Sequence, residues 1–335
     1  MQQQYLLRAV LRPDLLQFVA DGTTDGSFTA KDVKRVAYYT FFTPVVAMLT
    51  PRRLTAQEAR VQLYQNVVAP LFDDYFDHPD LSPALLLQLM YNLSTWQPRS
   101  TRERVLMRYM HRILGNVTDG DRFRHAVLTL YDAQMRSLDQ QHETLTTEEI
   151  RERTYDKGGY SLLLFMSGLT DPLTDTEAEA AYLFGGLIQY ADDIFDVWED
   201  AQAGIATLAT TATDIPTLRK DYESELARLI KLYKSEKIKT HFIPSKTNSV
   251  LEEGVYLQFL NNKTPRSNGN SIAQQSLLLL VRALVALEQL EATQRKHGGA
   301  FDLRRYERRE VVCDMALWRN NVKMIQYFIR FFSEK

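Results

Sequence analysis

Residues 181–200 read AYLFGGLIQYADDIFDVWED. The first turns are apolar nearly all round, which is typical of a buried helix. Asp192, Asp196 and Asp200 follow at positions i, i+4 and i+8, so their three carboxylates lie on one helical face. Unpaired carboxylates are costly to bury, and hard divalent cations relieve that cost through oxygen ligands. The stretch therefore predicts a buried helix that carries a metal site.

A second acidic segment, LFDDYFD at residues 71–77, ends another strongly apolar run. Asp73 and Asp77 are spaced i,i+4, and Asp74 lies one step round the helix. Like charges at this spacing weaken a helix by a few tenths of a kcal/mol. Three carboxylates on an apolar helix therefore call for a cation or for a solvated helix end.

Helical periodicity dominates the rest of the chain, and period-2 alternation is almost absent, which predicts an all-α fold. Start signals occur at Thr55 with Glu58, at Thr146 with Glu149, and at Asp175. Helices are predicted near residues 30–48, 55–78, 82–95, 100–115, 121–142, 147–169, 175–203, 213–236, 271–296 and 303–332.

Two polar loops, residues 237–247 and 261–271, are too short to be convincing interdomain linkers. We therefore predict a single α-helical domain over residues 1–335. The net charge of −2 gives no general attraction for nucleic acid or an acidic membrane. With Cys313 as the only cysteine, no intrachain disulfide can form, which fits a reducing cytoplasm. We find no signal peptide or membrane-spanning run and expect a cytoplasmic protein.

The two acidic segments together resemble the paired metal motifs of class I isoprenoid synthases. The second matches the polyprenyl diphosphate synthase pattern QxxDDxxD, from Gln189 to Asp196. Asp192, Asp196 and Asp200 also resemble the terpene cyclase triad, with aspartates in place of the usual Asn, Ser and Glu. The run Asp196 to Asp200 is similar to the DVxED of squalene and phytoene synthases.

This resemblance implies a large helical bundle of the isoprenoid synthase type with a central active-site cavity. It implies a cluster of about three Mg²⁺ ions that binds the diphosphate of a prenyl substrate. The implied metal ligands are Asp73, Asp74, Asp77, Asp192, Asp196 and Asp200. All of these except Asp74 are also the implied catalytic residues.

The resemblance further suggests residues that bind the diphosphate. Lys157, within the run YDKGGYS at residues 155–161, is similar in position to a lysine that contacts diphosphate in these families. A helix breaks near that place in them, and paired glycines suit a kink. Arg305-Tyr306 looks like the Arg-Tyr pair of cyclases, and Arg153 is a further candidate.

The implied reaction is ionisation of a linear prenyl diphosphate, with pyrophosphate released and the carbocation cyclised along an aromatic wall. Candidates for that wall are Tyr75, Phe76, Tyr160, Phe165, Phe184, Tyr190, Phe195 and Trp198. The residues after Asp77 lack the arginine pair of chain-elongating synthases, and Gly204 is followed by Ile205 rather than by the arginine of squalene synthases. These departures favour a cyclase.

Three alternatives stay open at this stage. The first is head-to-head coupling of two prenyl diphosphates, the second a non-catalytic partner of a prenyl synthase, and the third a helical scaffold with solvated acidic faces. The sequence also leaves open the length of the substrate, the product skeleton and the oligomeric state, a homodimer included.

Overall fold

A computed structural model describes residues 42–50, 54–77, 80–141, 144–235 and 271–311. These residues are all-α, and no strand occurs among them. In chain order the helices are α1 (Phe42–Leu49), α2 (Ala56–Asp77), α3 (Pro83–Tyr91), α4 (Thr101–Leu114), α5 (Gly120–Ser137), α6 (Thr147–Ser167), α7 (Asp175–Phe195), α8 (Val197–Ala203), α9 (Ile215–Ser235), α10 (Ser271–His297) and α11 (Arg308–Val311). Two 3₁₀ turns span Leu138–Gln141 and Leu303–Arg305.

Side-chain caps explain where the longer helices begin. Thr146 accepts a hydrogen bond from the backbone of Glu149, whose carboxylate accepts one from the Thr146 backbone, so α6 starts with a capping box. Thr55 and Glu58 make the same reciprocal pair before α2. At α7 the cap is Thr174, one residue before the predicted Asp175. An N-cap of this kind contributes about 1 kcal/mol.

Three predicted helices are interrupted or end earlier in the structure. The predicted helix 175–203 divides at Asp196, which has φ −96° and ψ 14°. The predicted helix 82–95 ends at Tyr91 and continues as turns. The predicted helix 303–332 begins with a short 3₁₀ turn capped by Asp302. This turn ends at Tyr306, whose backbone is extended. The predicted stretches 30–41, 237–247, 261–270 and 312–332 lie outside the described residues.

The apolar side chains of the described helices form two clusters. One is formed mainly by α1, α6, α7, α9 and α10, and includes the fully buried Phe184, Tyr190 and Tyr222. The other is formed by α2, α3, α4 and α5, together with Leu164 of α6. Helix α6 therefore contributes to both clusters and joins the two halves of the described fold.

Helices α6 and α7 cross with their backbones in contact at paired glycines. A Cβ added at Gly158 would lie 2.2 Å from the carbonyl oxygen of Gly185, and one added at Gly185 would lie 2.2 Å from that of Gly158. Next to them, Gly159 packs under the ring of Tyr182, and Gly186 under the ring of Tyr155. Only glycine permits so close an approach.

The crossing replaces the helix break that the resemblance implied at these glycines, so that expectation was wrong. Helix α6 runs without interruption from Thr147 to Ser167. Its paired glycines face the paired glycines of α7, and their role is to bring two backbones together.

Buried amides of α2 tie that helix to the end of α6. Gln62 Nε2 donates to the carbonyl oxygen of Phe165 at 2.7 Å, and Gln65 Nε2 donates to that of Leu164 at 2.8 Å. The Glu58 carboxylate accepts from the backbone N–H of Thr170 at 2.7 Å. The first two bonds reach carbonyl groups in the last turn of α6, and the third reaches a backbone N–H just beyond that helix. They also show that α2 and α6 run in opposite senses.

Candidate active site

The three aspartates predicted to share a face remain in register across the helix break. The backbone N–H of Asp196 bonds to the carbonyl of Asp192 at 2.9 Å, and that of Asp200 bonds to the carbonyl of Asp196 at 2.8 Å. The i to i+4 pattern therefore continues from α7 into α8. All three side chains are half-buried. We call Asp192, Asp196 and Asp200 the acidic row.

Burial and mutual repulsion make the acidic row hard to ionise. Burial, then the charges of Asp196 and Asp193, raise the pKa of Asp192 to about 8. Burial, followed by the negative charges of Asp193 and Asp196, raises the pKa of Asp200 to about 7. The pKa of Asp196 rises to about 6 for similar reasons, with burial first. A group of this kind is stabilised by added positive charge.

Lys157 of α6 is a cationic residue close to this row. Its positive charge opposes the rise in the pKa of Asp192, Asp193 and Asp200, so it lies within electrostatic reach of all three. It is placed there because Gly158, the next residue, lies at the backbone contact between α6 and α7. The structure thus places Lys157 near Asp192, Asp193 and Asp200, and its role in binding diphosphate stays a prediction.

Asp193, next to the acidic row, is held by hydrogen bonds from two helices. Thr154 Oγ1 of α6 donates to Asp193 Oδ2 at 3.0 Å, and Gln189 Nε2 of α7 donates to Oδ1 at 2.9 Å. The Asp193 side chain is 7% exposed. Burial raises its pKa, and the two donors and Lys157 oppose that rise.

The first acidic segment, Asp73, Asp74 and Asp77, spreads its side chains in different directions at the end of α2. Asp73 Oδ1 accepts a hydrogen bond from Gln134 Nε2 of α5 at 3.2 Å. Asp74 is 1% exposed and forms an ion pair with Arg102 of α4. Asp77 is the last residue of α2 and is exposed.

Both acidic parts lie toward the same end of the described fold. Helix α2 starts beside the end of α6, and its Asp73 reaches Gln134 near the end of α5. Two residues later, Arg136 Nη2 of α5 contacts Asp156 Oδ2 of α6 at 2.6 Å. Asp156 adjoins Lys157, so α5 is the element that connects the first acidic segment with the neighbourhood of the acidic row.

A buried network around Asp156 was missed by the sequence analysis. Tyr182 OH of α7 donates to Asp156 Oδ1 at 2.6 Å, while Arg136 of α5 binds the other oxygen. Asp156 is 6% exposed, and its carboxylate connects α6 with α5 and α7. The carboxylate, hydrogen-bonded by Tyr182, raises the pKa of that phenol beyond the rise that burial causes. No sequence pattern signalled these partners, which are up to 26 residues apart.

The contacts of the remaining diphosphate candidates are with residues other than the acidic row. Arg153 pairs with Asp139 at 3.6 Å and with Glu152 at 3.7 Å. Arg305 is exposed and lies 3.7 Å from Asp302. Tyr306 is buried, with its ring 5.1 Å from that of Phe301 and 5.0 Å from that of His297.

Another arginine of the same C-terminal stretch reaches α8. Arg308 Nη2 lies 2.6 Å from Glu199 Oε1, and the charge of Glu199 raises the pKa of Asp196 and Asp200. Sequence reasoning named Arg305 in this stretch and overlooked Arg308, because four arginines between residues 304 and 309 give no local signal of which one meets α8.

Three of the eight aromatic candidates keep some exposure and adjoin the acidic parts in the chain. Phe76 lies between Asp74 and Asp77, Tyr160 follows Lys157 by one turn, and Trp198 precedes Asp200. The other five aromatic candidates are buried in the two apolar clusters.

No three histidine, cysteine, aspartate or glutamate side chains within the described ranges lie close enough together to form a ready-made metal cage. Among the same residues, no helix is both long and apolar enough to cross a bilayer. Comparison of the chain with protein-family models, with curated proteins and with solved structures found no match.

Proposed function

We propose that this protein is a magnesium-dependent class I terpene synthase, a cyclase that ionises a linear prenyl diphosphate and releases pyrophosphate. The observation that carries the proposal is the acidic row, three half-buried carboxylates in line on α7 and α8, with the charge of Lys157 within electrostatic reach of Asp192 and Asp200. Carboxylates beside a lysine can hold a divalent cation and the phosphate oxygens that bind it.

The donor set fits Mg²⁺. All the candidate ligands are carboxylate oxygens, which this hard cation prefers. Mg²⁺ usually takes one or two carboxylates per ion and completes its octahedron with water and substrate phosphate oxygens. The absence of a three-residue cage among the described residues is therefore compatible with this site. Asp192, Asp196 and Asp200 would hold ions on one side, and Asp73 and Asp77 on the other.

The proposed chemistry assigns separate tasks to the protein groups. Bound Mg²⁺ would supply the positive charge that stabilises pyrophosphate as a leaving group. Lys157 binds the diphosphate oxygens, and Arg153 and Arg305 remain candidates for the same task. The partly exposed rings of Phe76, Tyr160 and Trp198 present π faces to the cationic carbon without trapping it as a nucleophile would.

The proposal extends to the architecture. We propose a bundle of the isoprenoid synthase type, with both acidic parts at one end of a central cavity. The placement of Asp73 beside α5, and of Arg136 of α5 beside α6, supports this arrangement. The retained carboxylates speak against a non-catalytic partner, because repelling charges on apolar helices are a standing cost without a ligand. Head-to-head coupling is disfavoured by the Gly204-Ile205 departure.

Calorimetry with Mg²⁺ and inorganic pyrophosphate tests the site directly. We expect pyrophosphate to bind in the presence of Mg²⁺ and to bind far more weakly without it, because each ligand helps to neutralise the other. The double variant Asp192→Ala, Asp196→Ala should lose this coupling and keep the helical circular dichroism. Asp132→Ala, which removes an exposed carboxylate of α5, is the matched control and should keep the coupling.

The reaction is tested by incubation with the C10, C15, C20 and C25 prenyl diphosphates and Mg²⁺. A cyclase gives hydrocarbon or alcohol products from one diphosphate, which mass spectrometry identifies. A requirement for a second prenyl diphosphate or for NADPH would instead indicate head-to-head coupling. Full activity in the double variant would contradict the proposed site.

A further inference from the structure

We infer that the two aspartates of each adjacent pair have different tasks: Asp74 and Asp193 anchor one helix to another, and Asp73 and Asp192 belong to the site. The inference rests on the proposed function, and it deepens it by separating ligands from positioning residues. It is carried by the hydrogen bonds and ion pair that occupy Asp74 and Asp193, which the sequence patterns do not distinguish from their neighbours.

Asp193 is committed to the contact between α6 and α7. Each of its oxygens accepts one hydrogen bond, from Thr154 at 3.0 Å and from Gln189 at 2.9 Å. Thr154 is 1% exposed, so this bond is made inside the fold. Asp192 is the preceding residue and lies about 100° round the helix from Asp193. The bond from Thr154 therefore fixes the rotation of α7 about its axis, and with it the direction in which Asp192 projects.

Asp74 has the corresponding role at the other acidic segment. Its buried carboxylate pairs with Arg102, which joins the end of α2 to the start of α4. Removing one partner of a buried ion pair leaves the other charge uncompensated, which is strongly unfavourable. Asp73 projects instead toward α5, where Gln134 donates to it. The pairing of Asp74 with Arg102 therefore orients Asp73 in the way that Thr154 orients Asp192.

The ligand set that follows is Asp73, Asp77 and the acidic row. Asp74 leaves the set that the resemblance implied, and Asp193, a position of the QxxDDxxD pattern, stays outside it. Both excluded aspartates orient the site through the packing of the helix that carries them. They are positioning residues.

Neighbouring isosteric variants separate the two tasks. We expect Asp192→Asn to weaken Mg²⁺-dependent pyrophosphate binding by about tenfold or more, the loss usual for a disturbed metal site. In metal-free buffer it should not lower the melting temperature, because the amide keeps the shape of the side chain and cannot add to the repulsion within the acidic row. Asp193→Asn should lose less than about tenfold in binding. Its melting temperature should fall by about 2–6 °C, since an amide cannot accept both bonds as strongly as the carboxylate does.

Thr154 variants test the same contact without touching an aspartate. Thr154→Val removes the donor and keeps the shape, and Thr154→Ser restores the hydroxyl. We expect Thr154→Val to lower the melting temperature and to weaken Mg²⁺-dependent pyrophosphate binding, because Asp192 is no longer held in its rotation. Thr154→Ser should recover both. This pair also decides the matter should Asp193→Asn fail to fold.

The outcomes distinguish this inference from the proposed function. Equal loss of pyrophosphate binding in Asp193→Asn and Asp192→Asn, with unchanged melting temperatures, would overturn the inference and leave the function intact. A wild-type protein that shows no Mg²⁺-coupled binding would overturn the function. In that case melting temperatures still decide the anchoring. A lower melting temperature for Thr154→Val than for Thr154→Ser, and for Asp74→Asn than for Asp73→Asn, supports it. Equal melting temperatures within each pair refute it.

Discussion

Replacing Gly158 by alanine should destabilise the protein although alanine is the better helix former. The added Cβ would lie 2.2 Å from the carbonyl oxygen of Gly185 and 2.8 Å from its carbonyl carbon. Ordinary van der Waals contact begins near 3.4 Å. The clashing atoms belong to a backbone, so no side-chain rotation can relieve the overlap, and α6 and α7 must move apart by about 1 Å.

Two opposing terms set the magnitude. Overpacking of a close interface costs about 1–3 kcal/mol, and contact with backbone places this site toward the upper end. The helix propensity of alanine over glycine returns about 0.8–1 kcal/mol. We therefore expect a net loss of about 1–2 kcal/mol in the free energy of unfolding. At roughly 2–4 °C per kcal/mol, the melting temperature should fall by about 2–8 °C.

Urea unfolding followed by circular dichroism measures the change. Gly120→Ala is the matched control, because the nearest atom to its added Cβ is a flexible arginine end at 3.6 Å. The control should be neutral or slightly stabilising. The variant should also weaken Mg²⁺-dependent pyrophosphate binding, since the contact at Gly158 holds Lys157 against the acidic row. A Gly158→Ala protein as stable as the control would refute the close crossing of the two helices.

Three further predictions follow from the site. The folded-state pKa values of the acidic row, about 8, 6 and 7, lie above the ordinary 3.8, so the metal-free folded state binds extra protons between about pH 4 and 8. Its free energy of unfolding should therefore fall as the pH rises through that window, and Mg²⁺ with pyrophosphate should flatten the slope; a flat metal-free profile of urea midpoints contradicts this. Tyr182→Phe removes the hydroxyl bonded to Asp156 and should cost about 1.5–3 kcal/mol in urea unfolding, against less than about 0.5 kcal/mol for the exposed Tyr91→Phe. Arg308→Gln removes the partner of Glu199 on α8 and should weaken Mg²⁺-dependent pyrophosphate binding in calorimetry. Arg309→Gln, whose arginine pairs with Glu307, should leave this binding unchanged. Equal effects of the two variants would contradict a role for Arg308 in the binding.

The sequence predicted well those features that depend on neighbours along the chain. Helical periodicity and the Thr146–Glu149 pair located α6 at its start to the residue, because a capping box is a local signal. The shared face of Asp192, Asp196 and Asp200 was likewise predicted, since it depends only on helical geometry. The predicted fold class is confirmed at the level of an all-α chain within the described ranges.

Features that depend on distant partners could not be predicted in the same way. Paired glycines suit a kink as well as a close crossing, and only the glycines of α7 decide between them. Asp74 and Asp193 look like their neighbours in the sequence, and their tasks depend on Arg102 and Thr154 in other helices. Local periodicity carries no information about which residue faces which partner.

The hydrogen bonds from the side-chain amides of α2 to the end of α6 fix the positions of the two helices along each other. From Gln65, α2 rises about 12 Å to Asp73, at 1.5 Å per residue. From Leu164, α6 covers about 10.5 Å back to Lys157. The two charged residues thus come level to within roughly one residue's rise. Inserting a single residue between Gln65 and Asp73 would turn Asp73 by about 100° while leaving Lys157 where it is.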